Sequence, residues 1–388
     1  MAESTIALPF VPRRVLVIRL SAIGDLILSS GLLPVMAAAW PGAEIHWLTR
    51  PGNAELLRHD PRLAGLHLLP RRPAGRWWRP RALAGTLVES LALVRTLRRL
   101  RFDVVLDVQG LLKSGVWARL SGAPVRVGLG SREGSASLMT HVVSRAVESH
   151  LPGKEYRALC RALGLDTTPY RLGVAVPDAT ARQAAERLRA AGVEGDYVVL
   201  APFTTRPQKH WLDDRWVECA RRLAVERGLR VVVLGGPGDR DHAAAIVAQA
   251  GGAAVSLAGD TALGEAAAVI RGARLLVGVD TGLTHLGLAM GTPTLALFGS
   301  TRPYLDPAVP NARVLYEPMD CSPCRRRPTC GGAFTCMRRH TVAEVLATAG
   351  ALLAAPQGSP GTPEIGSLRS PTRERPGAAR PWPRSPRP

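Results

Sequence analysis

Twice in this chain, once near each end, an apolar run of strand length breaks into a short turn of small and polar residues and resumes as a helix. The C-terminal instance is GVDTGLTHLGLAMGTPTLALFGST, residues 278–301. Arg274–Val279 (RLLVGV) reads as a buried strand, Asp280–Thr284 as a turn, His285–Met290 as a helix and Thr294–Phe298 as the next strand. In the N-terminal instance Arg14–Leu20 (RVLVIRL) leads into SAIGD, Ser21–Asp25, and then into the helical pattern LILSSGLLPVMAAAW. Apolar strands that alternate with helices require parallel sheets, because a parallel crossover needs a helix to span it. The rhythm recurs at Val15–Leu20, Glu44–Leu48 and Val104–Val108, and again at Tyr197–Ala201, Arg230–Leu234, Arg274–Val279 and Thr294–Phe298. The fold class is therefore α/β.

At 388 residues the chain is long enough for two such sheets. We expect Rossmann-like domains over residues 13–175 and 180–340, joined near Pro177. A helix is expected over 341–355, and a Pro-, Gly-, Ser- and Arg-rich tail over 356–388 that is too poor in apolar residues to bury a core.

Both turns have the character of ligand sites. A helix N-terminus presents unpaired backbone N–H groups and the positive end of a dipole, which suits a phosphate or diphosphate. Gly282 lets the backbone approach such a group, and Thr281 and Thr284 offer O–H donors. The competing reading is an ordinary strand-to-helix turn with a threonine cap. Asp25 likewise has two readings. It caps the helix that follows, or, standing where open α/β sheets bind ligands, it accepts a proton as a general base.

Lysine plus arginine number 50 against 31 acidic residues, a net charge of +19, which suits an anionic partner. The segment Arg71–Arg81 (RRPAGRWWRPR) interleaves two tryptophans with arginines. Indole rings sit at headgroup depth and arginine pairs with phosphate, so a membrane interface fits, with a plain solvated loop as the alternative. Helix-turn-helix, zinc-finger and RNP-type motifs are lacking, which argues against a nucleic-acid partner. Residues 1–14 contain no apolar core of signal-peptide length, and no run of ~20 apolar residues occurs, so a cytoplasmic protein without a membrane span is expected. Of six cysteines, Cys160 and Cys219 read as core residues. The other four, Cys321, Cys324, Cys330 and Cys336, are spaced C-x2-C-x5-C-x5-C. The x5 gaps differ from the paired C-x2-C of zinc ribbons, and we expect no metal.

RVLVIRLSAIGDLILSSGLLP and LLVGVDTGLTHLGLAMGTPTLALFGST together resemble the bacterial ADP-heptose:lipopolysaccharide heptosyltransferases. FDVVLDVQGLLKS (Phe102–Ser114), APFTTRPQKHWLDDRW (Ala201–Trp216) and VVVLGGPGD (Val231–Asp239) fit as well, in the same order. The resemblance implies a GT-B fold, two Rossmann-like domains facing across a cleft, and an inverting glycosyltransferase. It implies an ADP-sugar donor, a phosphorylated lipid A–Kdo type acceptor met at the cytoplasmic surface of the inner membrane, and a C-terminal helix that crosses back onto the N-terminal domain. We expect a monomer without a cofactor. Asp25 would be the base. Lys209, with Thr204 and Thr205, would meet the departing diphosphate, and Thr281, Gly282 and Thr284 would complete its cradle. Asp280 would accept from sugar hydroxyls, His285 either bind donor or fill the first helical turn, and Asp239 reach the ribose. Arg76, Arg79, Arg81 and Lys113 would handle the acceptor, while Asp107 lines the site or caps its loop. Trp211 and Trp216 read as core. No DxD-like pair occurs in these motifs, so the leaving group would be met by Lys209 and helix N–H groups. TTRPQKHW looks like the enzyme that adds the first heptose to Kdo, the cysteine cluster like those that add later sugars. The alternatives are another nucleotide sugar or acceptor, or a non-catalytic binder of anionic lipid or nucleic acid on the same fold.

Overall fold

The computed structural model describes residues 5–70, 80–145, 149–304, 311–324 and 327–355. Arg76, Arg79 and the 356–388 tail lie outside the described residues, as does the side chain of Arg81.

Alternation of strand and helix yields two separate six-stranded sheets. The first contains β1 (Arg14–Ile18), β2 (Glu44–Thr49), β3 (Leu63–Leu68), β4 (Val104–Asp107), β5 (Val125–Leu129) and β6 (His141–Val143). Helices α1 (Ile23–Ser29) and α2 (Leu32–Ala39) follow β1, α3 (Pro80–Arg99) joins β3 to β4, α4 (Leu112–Leu120) joins β4 to β5, and α5 (Lys154–Ala162) follows β6. The chain then passes through α6 (Asp178–Ala190) into the second sheet. There β7 (Tyr197–Ala201), α7 (Asp213–Arg227), β8 (Arg230–Val233), α8 (Arg240–Gln249), β9 (Ala254–Ser256), α9 (Leu263–Gly272), β10 (Leu275–Val279), α10 (Gly282–Met290) and β11 (Thr294–Phe298) alternate strictly. β12 (Ala312–Tyr316), α11 (Thr335–Arg338) and α12 (Val342–Ala354) complete the described fold.

The strand orders are β3-β2-β1-β4-β5-β6 and β12-β11-β10-β7-β8-β9, and every pairing is parallel. Counted from its own first strand, each sheet has the doubly wound order 3-2-1-4-5-6. The order reverses between β1 and β4 in one sheet and between β7 and β10 in the other. A crevice opens at the carboxyl ends of those strand pairs. The central strands bear out the sequence reading: β7, β10 and β11 are buried along their whole length, as is β1 from Val15 onward. Trp211 and Trp216 are core, stacked edge-to-face at 4.8 Å. Cys160 and Cys219 are core as well, and burial pushes both thiols up to about 12. Among the described residues no helix is long and apolar enough to cross a membrane.

The C-terminal helix forms where expected, with Thr341 as its N-cap accepting from the Glu344 N–H at 3.2 Å. Its packing differs from expectation. Val342, Val345, Leu346, Ala349 and Leu352 join Trp216, Val217 and Leu223 of α7 in the core of the second sheet, so α12 stays on its own domain. The reason lies at its start. The Trp211 Nε1–H donates to the His340 carbonyl at 2.9 Å and the Arg215 guanidinium donates to the same oxygen, fixing the helix entry beside α7.

Candidate active site between the two sheets

The site grows from the two switch points. After β1 the chain turns through Ser21 and Ala22 into α1, with Asp25 in its first turn. Two backbone N–H groups at this turn, of Leu20 and Ser21, donate to Gln109 Oε1 at 3.0 and 3.1 Å, which ties the end of β1 to the loop after β4. That loop is built by Asp107. Its carboxylate accepts from the Gln109 and Gly110 N–H groups, each at 3.1 Å, and from the Ser114 hydroxyl at 3.0 Å. Burial pushes the Asp107 pKa up against these hydrogen bonds. Asp107 thus caps its loop and has no exposed surface from which to act on substrate.

Arg19, the charged residue inside the apolar run RVLVIRL, went unremarked in the sequence, and it is the decisive partner of Asp25. Its side chain is only 2% exposed, and its Nη2 forms an ion pair with Asp25 Oδ2. Nη1 donates to the Val108 carbonyl at 2.6 Å, and the Tyr156 ring lies 5.9 Å from the guanidinium. Burial alone would push the Arg19 pKa down; Tyr156, Asp25 and Glu155 more than reverse this. The Tyr156 hydroxyl also donates to the Asp25 carbonyl at 3.2 Å, anchoring the first turn. The Ala22 N–H, at 3.4 Å, adds a long cap contact to Asp25 Oδ2. The two contacts to the carboxylate itself, from Arg19 and from the Ala22 N–H, both use Oδ2. The side chain is 45% exposed, and Oδ1 has no protein partner among the described residues.

In the second sheet the turns after β7 and β10 converge. Lys209 Nζ lies 2.5 Å from Asp280 Oδ2, and both side chains are largely buried. The Thr301 hydroxyl donates to the same oxygen at 2.5 Å, and His285 Nε2 stands 3.6 Å from Oδ1. His285 Nδ1 is hydrogen-bonded to the Tyr304 hydroxyl at 3.0 Å. A ring nitrogen that faces a carboxylate carries its proton, so in the neutral ring Nδ1 accepts from Tyr304. Burial pushes the Asp280 pKa up, but the His285 hydrogen bond and the Lys209 charge outweigh it and hold the carboxyl well below the usual range. Thr301 and Tyr304 were invisible to sequence reasoning, since they follow β11 without any periodic signal.

The remaining expected residues separate. Thr281 is the N-cap residue of α10, and its hydroxyl makes no capping bond and is partly exposed. The Thr284 hydroxyl is buried and donates to the Val279 carbonyl at 2.6 Å, so it braces the turn from beneath. Thr204 gives its carbonyl to His210 Nε2 at 2.8 Å, and Thr205 is exposed beside it. Asp239 accepts from the Gly236 N–H at 2.8 Å and closes its own turn. Lys113 stands on the exposed first turn of α4. Among the described residues no group of three or more His, Cys, Asp and Glu is arranged to hold a metal ion. In the cysteine segment, Cys324 Sγ lies 3.9 Å from the Ser300 carbonyl and Cys336 is buried.

The two halves of the site face each other through two glycines. A Cβ on Gly24 would stand 2.6 Å from His285 Cδ2, and one on Gly282 would stand 2.8 Å from Ile23 Cγ2. The start of α1, with Asp25, and the start of α10, with Asp280 just before it, are thereby brought to one cleft. A half-exposed carboxylate on one wall faces a lysine and a helix N-terminus on the other.

Comparison with known proteins matches this architecture. The family model described as Glycosyltransferase family 9 (heptosyltransferase) matches residues 90–333. Lipopolysaccharide heptosyltransferase 1 of Pseudomonas aeruginosa is 34% identical over 325 residues, 82% of this chain and 87% of the relative. The enzyme of the same name from Escherichia coli K12 is 28% identical over 298 residues, 75% of this chain and 89% of the relative. Among solved structures, a glycosyl transferase family 9 protein from Veillonella parvula superposes with a TM-score of 0.73 at 22% identity, over 88% of this chain and 97% of its own. E. coli heptosyltransferase WaaC with ADP-2-deoxy-2-fluoro heptose superposes with a TM-score of 0.64 at 25% identity, over 87% and 99%.

Proposed function

Because this chain belongs to glycosyltransferase family 9, the heptosyltransferases, we propose that it transfers L-glycero-D-manno-heptose from ADP-heptose to the inner core of lipopolysaccharide, with inversion. The observation that carries the reading is the facing arrangement itself. A half-exposed carboxylate with one unused oxygen lies across a cleft from a lysine at a helix start. Asp25 Oδ1 accepts the proton of the acceptor hydroxyl as its oxygen bonds to the anomeric carbon. The bond from that carbon to the diphosphate oxygen breaks on the opposite face of the sugar, and its electron pair leaves with ADP. Lys209, the α10 N–H groups and Thr281 meet the charge that grows there. Lys209 is paired with Asp280 before donor binds, so the incoming diphosphate shares that lysine. Thr301 and His285 keep the Asp280 carboxylate satisfied while it does.

The acceptor we favour is the phosphorylated lipid A–Kdo type, reached by a monomer at the cytoplasmic surface of the inner membrane. The TTRPQKHW motif supports the first-heptose reaction. So do the identities, 34% and 28% to relatives named heptosyltransferase 1 against 25% to an E. coli heptosyltransferase 3. The deciding measurement is ADP release from a panel of ADP- and UDP-sugars, with Kdo-bearing lipid A, with its heptosylated product and with neither. The expected result is release from ADP-heptose that depends on the Kdo-bearing acceptor. Release from another nucleotide sugar, or stimulation only by the heptosylated acceptor, overturns the donor or acceptor assignment respectively.

A further inference from the structure

We propose that the outward face of α3, together with the first turns of α4, is a bilayer-seating surface that docks on an anionic leaflet, resting on the reading that the acceptor is a lipid. Leu87, Val88 and Leu91 of α3 are 60%, 65% and 45% exposed, and Leu112 and Val116 of α4 are 44% and 40% exposed. On α3 the apolar side chains precede the basic ones along a single stripe. Val88, Leu91 and Arg95 follow each other at helical spacings of three and four, and Arg98 and Arg99 continue the row. Arg95 and Arg99 are exposed, while Arg98 donates to the Leu120 carbonyl at 3.0 Å and holds α3 against α4. On α4, Leu112 and Val116 are four residues apart and share a face, with exposed Arg119 one turn on.

Topology decides which way this surface points. Helices that join parallel strands run antiparallel to them, so the first turns of α3 and α4 lie at the carboxyl ends of β3 and β4. That is the edge on which Asp25 and the Gln109 loop stand. Leu112 and Val116 of α4 are therefore at the rim of the cleft, and on α3 Leu87, Val88 and Leu91 stand nearer that edge than Arg95 and Arg99. A bilayer interface satisfies both halves at once. The apolar side chains enter the headgroup boundary, and the arginines meet lipid phosphates. A second copy does not satisfy both. Antiparallel pairing of α3 would set the arginine half of one helix over the apolar half of the other, and parallel pairing would oppose arginine to arginine. The net charge of +19 favours an anionic leaflet over a zwitterionic one. Glu89, the acidic residue of α3, lies about a quarter turn from Val88, to the side of the stripe.

Sedimentation of the full chain with phosphatidylcholine vesicles, with and without phosphatidylglycerol, tests the surface. Leu87→Gln, Val88→Gln and Leu91→Gln combined keep helix-forming residues at exposed positions and should lower partitioning on the anionic vesicles by about tenfold or more. Arg95→Gln with Arg99→Gln should lower it by a similar factor, on anionic vesicles alone, and should flatten its salt dependence. Both variants should bind ADP and turn over a water-soluble, deacylated acceptor like the parent, while the KM for acceptor embedded in vesicles rises. Parent-like vesicle binding by both variants overturns the proposal. So does a parent that is dimeric by light scattering and that the triple variant renders monomeric, which would make the face a contact between copies. If the parent transfers no heptose to any acceptor, the enzymatic reading fails and the vesicle data still judge the surface.

Discussion

Asp25 and Asp280 occupy equivalent places in the two sheets. Each follows a strand at the switch point and stands at the start of a helix, yet their surroundings are opposite. Asp25 is half exposed and held through one oxygen by a buried arginine, with the other oxygen unpartnered among the described residues. Asp280 is enclosed, with both oxygens engaged by Lys209, Thr301 and His285. The difference teaches that topology supplies the position and the neighbours supply the role. A carboxylate with an unused, accessible oxygen can take a proton. One that is saturated and held ionised can only fix the groups around it, here the lysine proposed to meet the diphosphate.

The largest expected effect is at Asp25. Asp25→Asn keeps an oxygen for Arg19 and removes the basic carboxylate, so kcat should fall by about 10²–10⁴ with ADP affinity retained. Asp25→Ala is the poorer test, because it strands a buried guanidinium and invites unfolding. Arg19→Lys should act through the same carboxylate. A point charge does not reproduce the two-pronged grip on Asp25 and Val108, so kcat should drop, by less than in Asp25→Asn, with ADP affinity retained. Near-parental turnover in Asp25→Asn would sink the proton-transfer role.

Lys209→Ala comes next. Loss of a charge-assisted contact to the diphosphate should cost about 10–100-fold in kcat/KM. It also leaves Asp280 without its cation in an enclosed site, so a fall in Tm should accompany it. Asp280→Asn separates the two effects. If Asp280 only positions the lysine, the amide variant should lose donor affinity and keep the acceptor KM. A Lys209→Ala enzyme with unchanged ADP affinity would break the comparison at its second half.

The sequence made the central strands legible because buried parallel strands read as unbroken apolar runs: RLLVGV and TLALF fall within a residue of β10 and β11. The edge strands β3, β6, β9 and β12, and β5 beside β6, went unnamed because none is buried along its whole length, as in His141–Val143. Lys209 and Asp280 were both named in advance, but nothing in the chain announced that they pair, since 71 residues and a sheet crossing separate them. Arg19 carried a visible signal, a charge in the middle of a buried run. Thr301 and Tyr304 carried none. For α12 the helix was plain from its pattern and its partner was not, because an apolar face does not say which sheet it covers.

Gly24→Ala probes how the two halves meet. The added methyl would stand 2.6 Å from His285 Cδ2. His285 is clamped between Tyr304 and Asp280 and has little room to yield. The domains should be held apart by a fraction of an ångström, and misplacement of reacting groups on that scale should cost about tenfold in kcat/KM. A variant with parental kinetics would mean that the α1–α10 contact is dispensable for assembly of the site.

The smallest effect on turnover is expected far from the cleft, and it sharpens the comparison by removing a confounder. His46 Nδ1 and His67 Nε2 are hydrogen-bonded at 3.1 Å, their rings stacked and edged by Phe102 at the start of β4. Burial, and then the charge of His46, push the His67 pKa down to about 4 from the ordinary 6.5. Burial and Arg14 lower His46 too, with Glu44 opposing them. The unfolded chain therefore binds more protons than the folded one below pH 6.5. Stability is unaffected above that pH, falls as the pH drops from 6.5, and levels off near pH 4. The loss from His67 amounts to about 2–3 kcal/mol. Asp280, held ionised well below this window, contributes no titration to it. His67→Gln keeps a partner for His46 and does not titrate. In urea melts from pH 7 down to pH 4.5 it should lose most of the acid destabilisation, while kcat at pH 7 stays that of the parent. If His67→Gln changes kcat at pH 7, the histidine pair acts on the site as well as on stability and is not the separate element drawn here. If the melts of parent and variant coincide at every pH, the histidine pair is not the acid-sensitive element of the first sheet.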